Sequence, residues 1–90
     1  MEMKALKEIT VEEYMDLAQN GARTLFEIGD YRVVDGLKDE EQSFFVKDFT
    51  TDKWYLIDMA TCYELVTAFH CGGHKPYIED CLNNIVCSVN

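Results

Sequence analysis

A chain of 90 residues is long enough for one domain with a modest core, and an apolar fraction of 48% excludes a disordered tail. No apolar run approaches the roughly 18–20 residues of a membrane span. Seventeen acidic side chains against eight basic ones, a formal charge of −9, set the chain against nucleic-acid phosphates and anionic membranes and towards basic surfaces.

The opening MEMKALKEIT has neither the apolar stretch nor the small-residue cleavage site of a secretory leader, so the expectation is a soluble cytoplasmic protein. In that compartment Cys62, Cys71, Cys81 and Cys87 are expected as reduced thiols. Met1–Lys7 reads as a frayed lead-in or a short helical turn. Ile9–Gly21 carries the clearest helix pattern: Thr10 and Glu13 have capping-box spacing, and Ile9 and Tyr14 have that of a hydrophobic staple. Val11, Tyr14, Met15 and Ala18 recur at i, i+3, i+4 and i+7, which predicts one buried stripe. Glu12, Glu13 and Asp16 fall towards the positive end of the helix dipole, and Asn20-Gly21 reads as the stop.

Leu25–Ile28 and Tyr31–Val34, separated by Gly29-Asp30, form a hairpin pattern whose turn suits type II′. Asp35–Gln42 is too polar for a core and reads as a surface loop, with Asp39-Glu40-Glu41 the densest acidic spot in the chain. A second hairpin spans Ser43–Met59: Phe44–Phe49 and Trp54–Met59 are strand-forming runs around the polar cluster Thr50-Thr51-Asp52-Lys53. Alternation places Phe44 and Val46 on one face and Phe45, Lys47 and Phe49 on the other. Large apolar groups on both faces predict a central position with cover on each side. Thr61–Gly72 is a helix with Thr61 and Glu64 as a capping box, a stripe of Cys62, Leu65, Val66 and Phe69, and Gly72-Gly73 as its end. Pro76 opens a last helix, with Ile78, Cys81, Leu82, Ile85 and Val89 inward, although Ile85–Val89 also fits a short strand. The fold expected is a single small acidic α+β domain over residues 1–90. It has a four-stranded, mainly antiparallel sheet of two hairpins, with one N-terminal and two C-terminal helices packed on it.

Chemistry has one candidate locus, Cys62…His70-Cys71-Gly72-Gly73-His74…Cys81…Cys87. Cys71 and His74 have C-x₂-H spacing, and a small zinc module using them with Cys62, Cys81 or Cys87 is the alternative to a metal-free chain. The paired ligand spacings of structural zinc sites are absent, and Cys62 and Cys81 fall on apolar stripes where free Cys acts as a small hydrophobe. Cys71 with His74 or His70 lies in no nucleophile or redox motif. No calcium loop or phosphate-binding loop occurs. The aromatics Phe44, Phe45, Phe49, Trp54 and Tyr55 lack the basic groove of a base-stacking platform and read as core. The expectation is no catalytic residue, no resident metal and no cofactor.

A small, acidic α+β chain without a catalytic motif resembles the phage and mobile-element inhibitors that block host nucleic-acid enzymes, including anti-CRISPR and anti-restriction proteins. The resemblance is one of composition and brings no residue roles with it. It implies a non-catalytic binding protein whose acidic surface docks on a basic protein surface, such as the groove of a nuclease, without itself touching nucleic acid or membrane. The residues placed on that surface are Asp35, Asp39, Glu40 and Glu41 in the loop, with Glu12, Glu13 and Asp16 on the first helix.

Overall fold

A computed structural model describes residues 3–72 and 74–89. Gly73, assigned to the second helix stop, and the first two residues of the Met1–Lys7 lead-in lie outside the described residues. In chain order the elements are β1 (Lys7–Ile9), α1 (Val11–Leu17), β2 (Gly21–Ile28), β3 (Tyr31–Lys38), β4 (Glu41–Asp48), β5 (Lys53–Ile57), α2 (Met59–His70) and α3 (Lys75–Cys87). The class is α+β. The five strands form one sheet in the order β1-β5-β4-β3-β2, and every pairing is antiparallel.

The sheet therefore has one strand more than the sequence pattern suggests. The expected lead-in ends in β1, which pairs Lys7 with Leu56 and Ile9 with Trp54 and so completes the edge beside β5. Three residues are too few to show an alternation, and only Ile9 of the three is buried.

The second correction concerns Asp35–Gln42. These residues are not a loop: β3 continues to Lys38 and β4 begins at Glu41, leaving only Asp39-Glu40 as the turn. Asp39 sits in the left-handed region at φ 50, which Asp tolerates better than most residues. The strand runs on because its polar groups find partners. Asp35 is only 7% exposed, and its Oδ2 accepts from Arg23 Nη2 at 2.7 Å and from Gln42 Nε2 at 3.1 Å. Gly36 is buried between Phe45 and Ala18, so closely that a Cβ there would lie 2.8 Å from the Phe45 ring.

Both faces of the central strands are covered, as the two-faced pattern predicts. On one face Val33, Phe44, Val46, Tyr55 and Ile57 meet α2 and α3 through Cys62, Leu65, Ile78, Leu82 and Ile85. On the other, a smaller cluster of Ile9, Val34 and Phe45 is roofed by Tyr14 and Leu17 of α1, with Trp54 and Leu56 alongside. Tyr14 stacks on Trp54 with ring centroids 3.7 Å apart and meets Phe45 edge-on at 5.0 Å.

The helices begin and end differently from their sequence patterns. The Thr10–Glu13 capping box forms, but α1 stops at Leu17, and Asn20-Gly21 leads into β2 rather than capping a helix. Its inward residues are Tyr14, Leu17 and Ala18, while Val11 and Met15 are 50% and 64% exposed. Stacking on Trp54 fixes the helix rotation, and two turns cannot bury a wider stripe. Asp58, not Thr61, caps α2: its Oδ1 accepts from Thr61 N at 2.8 Å, and Thr61 is buried within the first turn. This cap ends β5 at Ile57 and takes Asp58 and Met59 out of the strand. In α3 the residues Ile78, Cys81, Leu82 and Ile85 face the core, and Ile85–Cys87 is helix rather than strand.

Phe45 and Gly36 are the tightest points of the smaller cluster. Phe45→Ala should lower unfolding free energy by about 3–5 kcal/mol, and Gly36→Ala by about 1–3 kcal/mol through overpacking against Phe45 and Ala18. Both are read from urea unfolding monitored by Trp54 fluorescence. A Gly36→Ala midpoint equal to the parent's would contradict the close approach of α1 to the sheet.

Candidate functional site

The seven carboxylates expected on a docking surface separate into two groups. Asp35 points to the face covered by α2 and α3, is largely buried, and is committed to Arg23 and Gln42. It contributes to strand pairing rather than to an exposed acidic surface. Asp39, Glu40, Glu41, Glu12, Glu13 and Asp16 are all exposed.

The path of α1 across the sheet brings one of its acids, Asp16, beside the β3–β4 turn. α1 leaves β1 at one edge and ends beside β3, where Lys38 Nζ donates to Asp16 Oδ2 at 2.7 Å. Asp39 N donates to Asn20 Oδ1 at 2.5 Å, and Asn20 N donates to Leu37 O at 2.8 Å. The chain following α1 is thereby tied to the β3–β4 turn. The C-terminal end of α1 and the acidic turn thus share one corner of the molecule, with Lys38 between Asp16 and the turn, while Glu12 and Glu13 stand in the first turn of the helix. Its ammonium is held above the usual lysine range by Asp16 first, with Asp39 and Glu41 adding to the effect. At the other end of α1, Glu13 accepts from Thr10 N at 3.2 Å and lies 3.4 Å from Lys7 Nζ. Its carboxyl is held below the usual glutamate range, chiefly by the Thr10 backbone bond and then by Lys7.

The basic side chains are mostly neutralised where they stand. Among the described residues Lys7–Glu13, Arg23–Asp35, Arg32–Glu27, Lys38–Asp16, Lys47–Asp52 and Lys53–Glu8 are ion pairs. Asp35 and Lys47 are the largely buried members; where both partners are exposed, such pairs contribute little to stability, about 0–1 kcal/mol each. Their effect on the field is larger, because the acids left over carry the net charge outward. Two of the cations serve a further purpose that the sequence does not announce. Arg32 and Lys47 are cross-strand neighbours, and both flank Phe49, the guanidinium 5.0 Å and the ammonium 6.0 Å from its ring centre. Lys47 also lies 5.1 Å from Trp54, and its side chain is only 11% exposed. The other aromatics of the hairpin, Phe44, Phe45 and Tyr55, are buried.

The cysteines are spread over the two C-terminal helices and their junction. Cys62 and Cys81 are buried, Cys71 and Cys87 exposed, and all four are free thiols. Among the described residues no three His, Cys, Asp or Glu side chains converge as a metal would require. Also among them, no helix is long and apolar enough to cross a membrane. The chain matches no protein-family model, no curated protein and no solved structure.

Burial pushes the Cys62 thiol up to about 11, with the nearby Asp35 adding to it. Native alkylation followed by peptide mass mapping should therefore modify Cys71 and Cys87 first and reach Cys62 only on unfolding. Between the ordinary thiol range near 9 and about 11, the unfolded chain loses this proton while the folded chain keeps it. Stability should accordingly fall as pH rises through that window, and Cys62→Ala should flatten the fall.

Proposed function

We propose that this protein is a non-catalytic, protein-binding inhibitor or regulator whose acidic corner docks on the basic surface of a nucleic-acid-binding enzyme. The observation that carries this reading is the juncture of α1 with the β3–β4 turn through Lys38, which sets Asp16 of the acidic helix beside Asp39 and Glu41. The acids that act are Asp39, Glu40, Glu41, Glu12, Glu13 and Asp16; Asp35 is withdrawn from the set by its burial. A nuclease of the kind blocked by phage and mobile-element anti-defence proteins is the partner class with the right chemistry. Its groove is built to receive a dense array of negative charge, and a folded acidic surface competes for the same cations. Charge of this kind speeds encounter and fixes orientation, while apolar contacts hold the complex.

Exchanging Asp39→Asn, Glu40→Gln and Glu41→Gln tests this directly. The three are exposed, so unfolding free energy should move by no more than about 0.5 kcal/mol. Association with a purified basic nuclease, measured at two ionic strengths, should slow by at least about tenfold at low salt, and its salt dependence should flatten. Equal rates and equal salt slopes for parent and variant would remove the turn from the interface. The same outcome for Glu12→Gln would end the acidic-surface reading.

A further inference from the structure

The sheet is incomplete at the end where β4 begins. Lys38, Leu37 and Gly36 of β3 pair with Glu41, Gln42 and Ser43 on one side of β4, but β5 reaches only to Ile57 opposite Phe44. The Asp58 cap then turns the chain away into α2. Among the described residues, Glu41–Ser43 have no strand paired on the β5 side, an open edge of about 10 Å at 3.4 Å per residue. Strands with an open edge accept added strands.

The space beside that edge is shaped for an occupant. A groove of about 340 Å³ is lined by Gln42, Ser43 and Phe44 along β4 and by Leu6, Leu56 and Met59 opposite. Leu6 is 60% exposed and Met59 54%, so two large apolar side chains flank it without being covered. Asp58 is the charged residue among those lining the groove, and Glu41 directly precedes Gln42 on β4.

We propose that the open β4 edge and the Leu6–Met59 groove dock an extended peptide segment of alternating apolar and basic residues, paired where a longer β5 would lie. This rests on the reading of the partner as a basic protein and adds which part of it is gripped. Backbone bonds to β4 give the segment its direction. Its apolar side chains enter between Leu6 and Met59, and its Lys or Arg side chains face Glu41 and Asp58. Alternation is required because successive side chains of a strand point to opposite faces.

The test uses ¹⁵N-labelled protein and a capped hexapeptide alternating Val and Lys. Amide shifts should concentrate at Gln42–Phe44 and Leu56–Met59, and backbone N-methylation of the peptide should abolish them. Leu6→Ser and Met59→Ser should each weaken binding about tenfold, the scale of losing one apolar contact in a pocket. Both positions are exposed, so both variants should fold. Unchanged spectra away from the groove check that. If the N-methylated peptide binds equally, or a Gly–Lys peptide binds as tightly as Val–Lys, the strand site is overturned while the acidic-surface reading stands. If a Val–Glu peptide binds as tightly as Val–Lys, the preference for basic partners fails along with it. No shift at the groove with any peptide removes the site, and the charge reading then depends only on the turn variants.

Discussion

Burial of β4 on both faces is the constraint from which the rest of the architecture follows. Phe44 and Val46 on one side and Phe45 on the other are each at most 5% exposed. Fully burying an apolar side chain of this size contributes about 1.5–3 kcal/mol, which is large beside the total stability of a small domain. One face can be satisfied by two ordinary amphipathic helices, and α2 and α3 do this. The second face is covered by the two turns of α1, whose inward residues Tyr14, Leu17 and Ala18 would hold little by themselves. A helix this short is unstable in isolation. It persists because the Thr10–Glu13 box closes its start, Tyr14 stacks on Trp54, and Ala18 approaches Gly36 closely enough to leave no room for a Cβ.

That dependence explains which parts of the fold are legible in the sequence. The pairing of the central hairpin, the Thr10 cap and the inward stripes of α2 and α3 rest on local chemistry, period and spacing and are found, although β4 ends before Phe49, which is exposed, and β5 before Asp58. The extension of β3 and β4 through Asp35–Gln42 is not local. Asp35 reads as a loop residue until Arg23 and Gln42 are known to lie beside it, and neither neighbour can be recognised before the strands are in register. One signal was present: Asp35 and Leu37 keep the period of Tyr31 and Val33, so the alternation carries on through the polar residues. The stripe of α1 failed for a related reason. Val11, Tyr14, Met15 and Ala18 fit a helix lying on a broad surface, but the surface available is the ring of Trp54 and the gap at Gly36. Asp58, three residues before Thr61, could likewise be recognised as the cap of α2 only once the end of β5 was known.

For the candidate site the sequence was informative about residue type and silent about arrangement. It identified six exposed acids, and the approach of Asp16 to the β3–β4 turn came from the path of α1 across the sheet and from Lys38. It also placed Asp35 with them, which its burial corrects. The groove beside β4 had no sequence trace, because it arises from an absence: β5 stops short, and it does so because a helix cap follows it.

The acids are not equally explained by the fold, and this bears on what their charge is for. Glu13 closes the cap of α1 and Asp16 holds Lys38, so both would be retained for folding even without a partner. Glu12 stands in the first helical turn, where a carboxylate is favourable. Asp39 suits the left-handed turn it occupies. Among the described residues Glu40 forms neither a cap nor an ion pair, and it lies beside Asp39 and Glu41, where like charges repel. Repulsion concentrated at a turn is tolerated at little cost in water, but nothing in the folding of β3 and β4 calls for it. The excess charge therefore sits where the fold needs it least, at the outer corner that also borders the open edge of β4. A partner engaging that corner meets the charge first and the apolar groove second, which is the order in which steering and holding act during association.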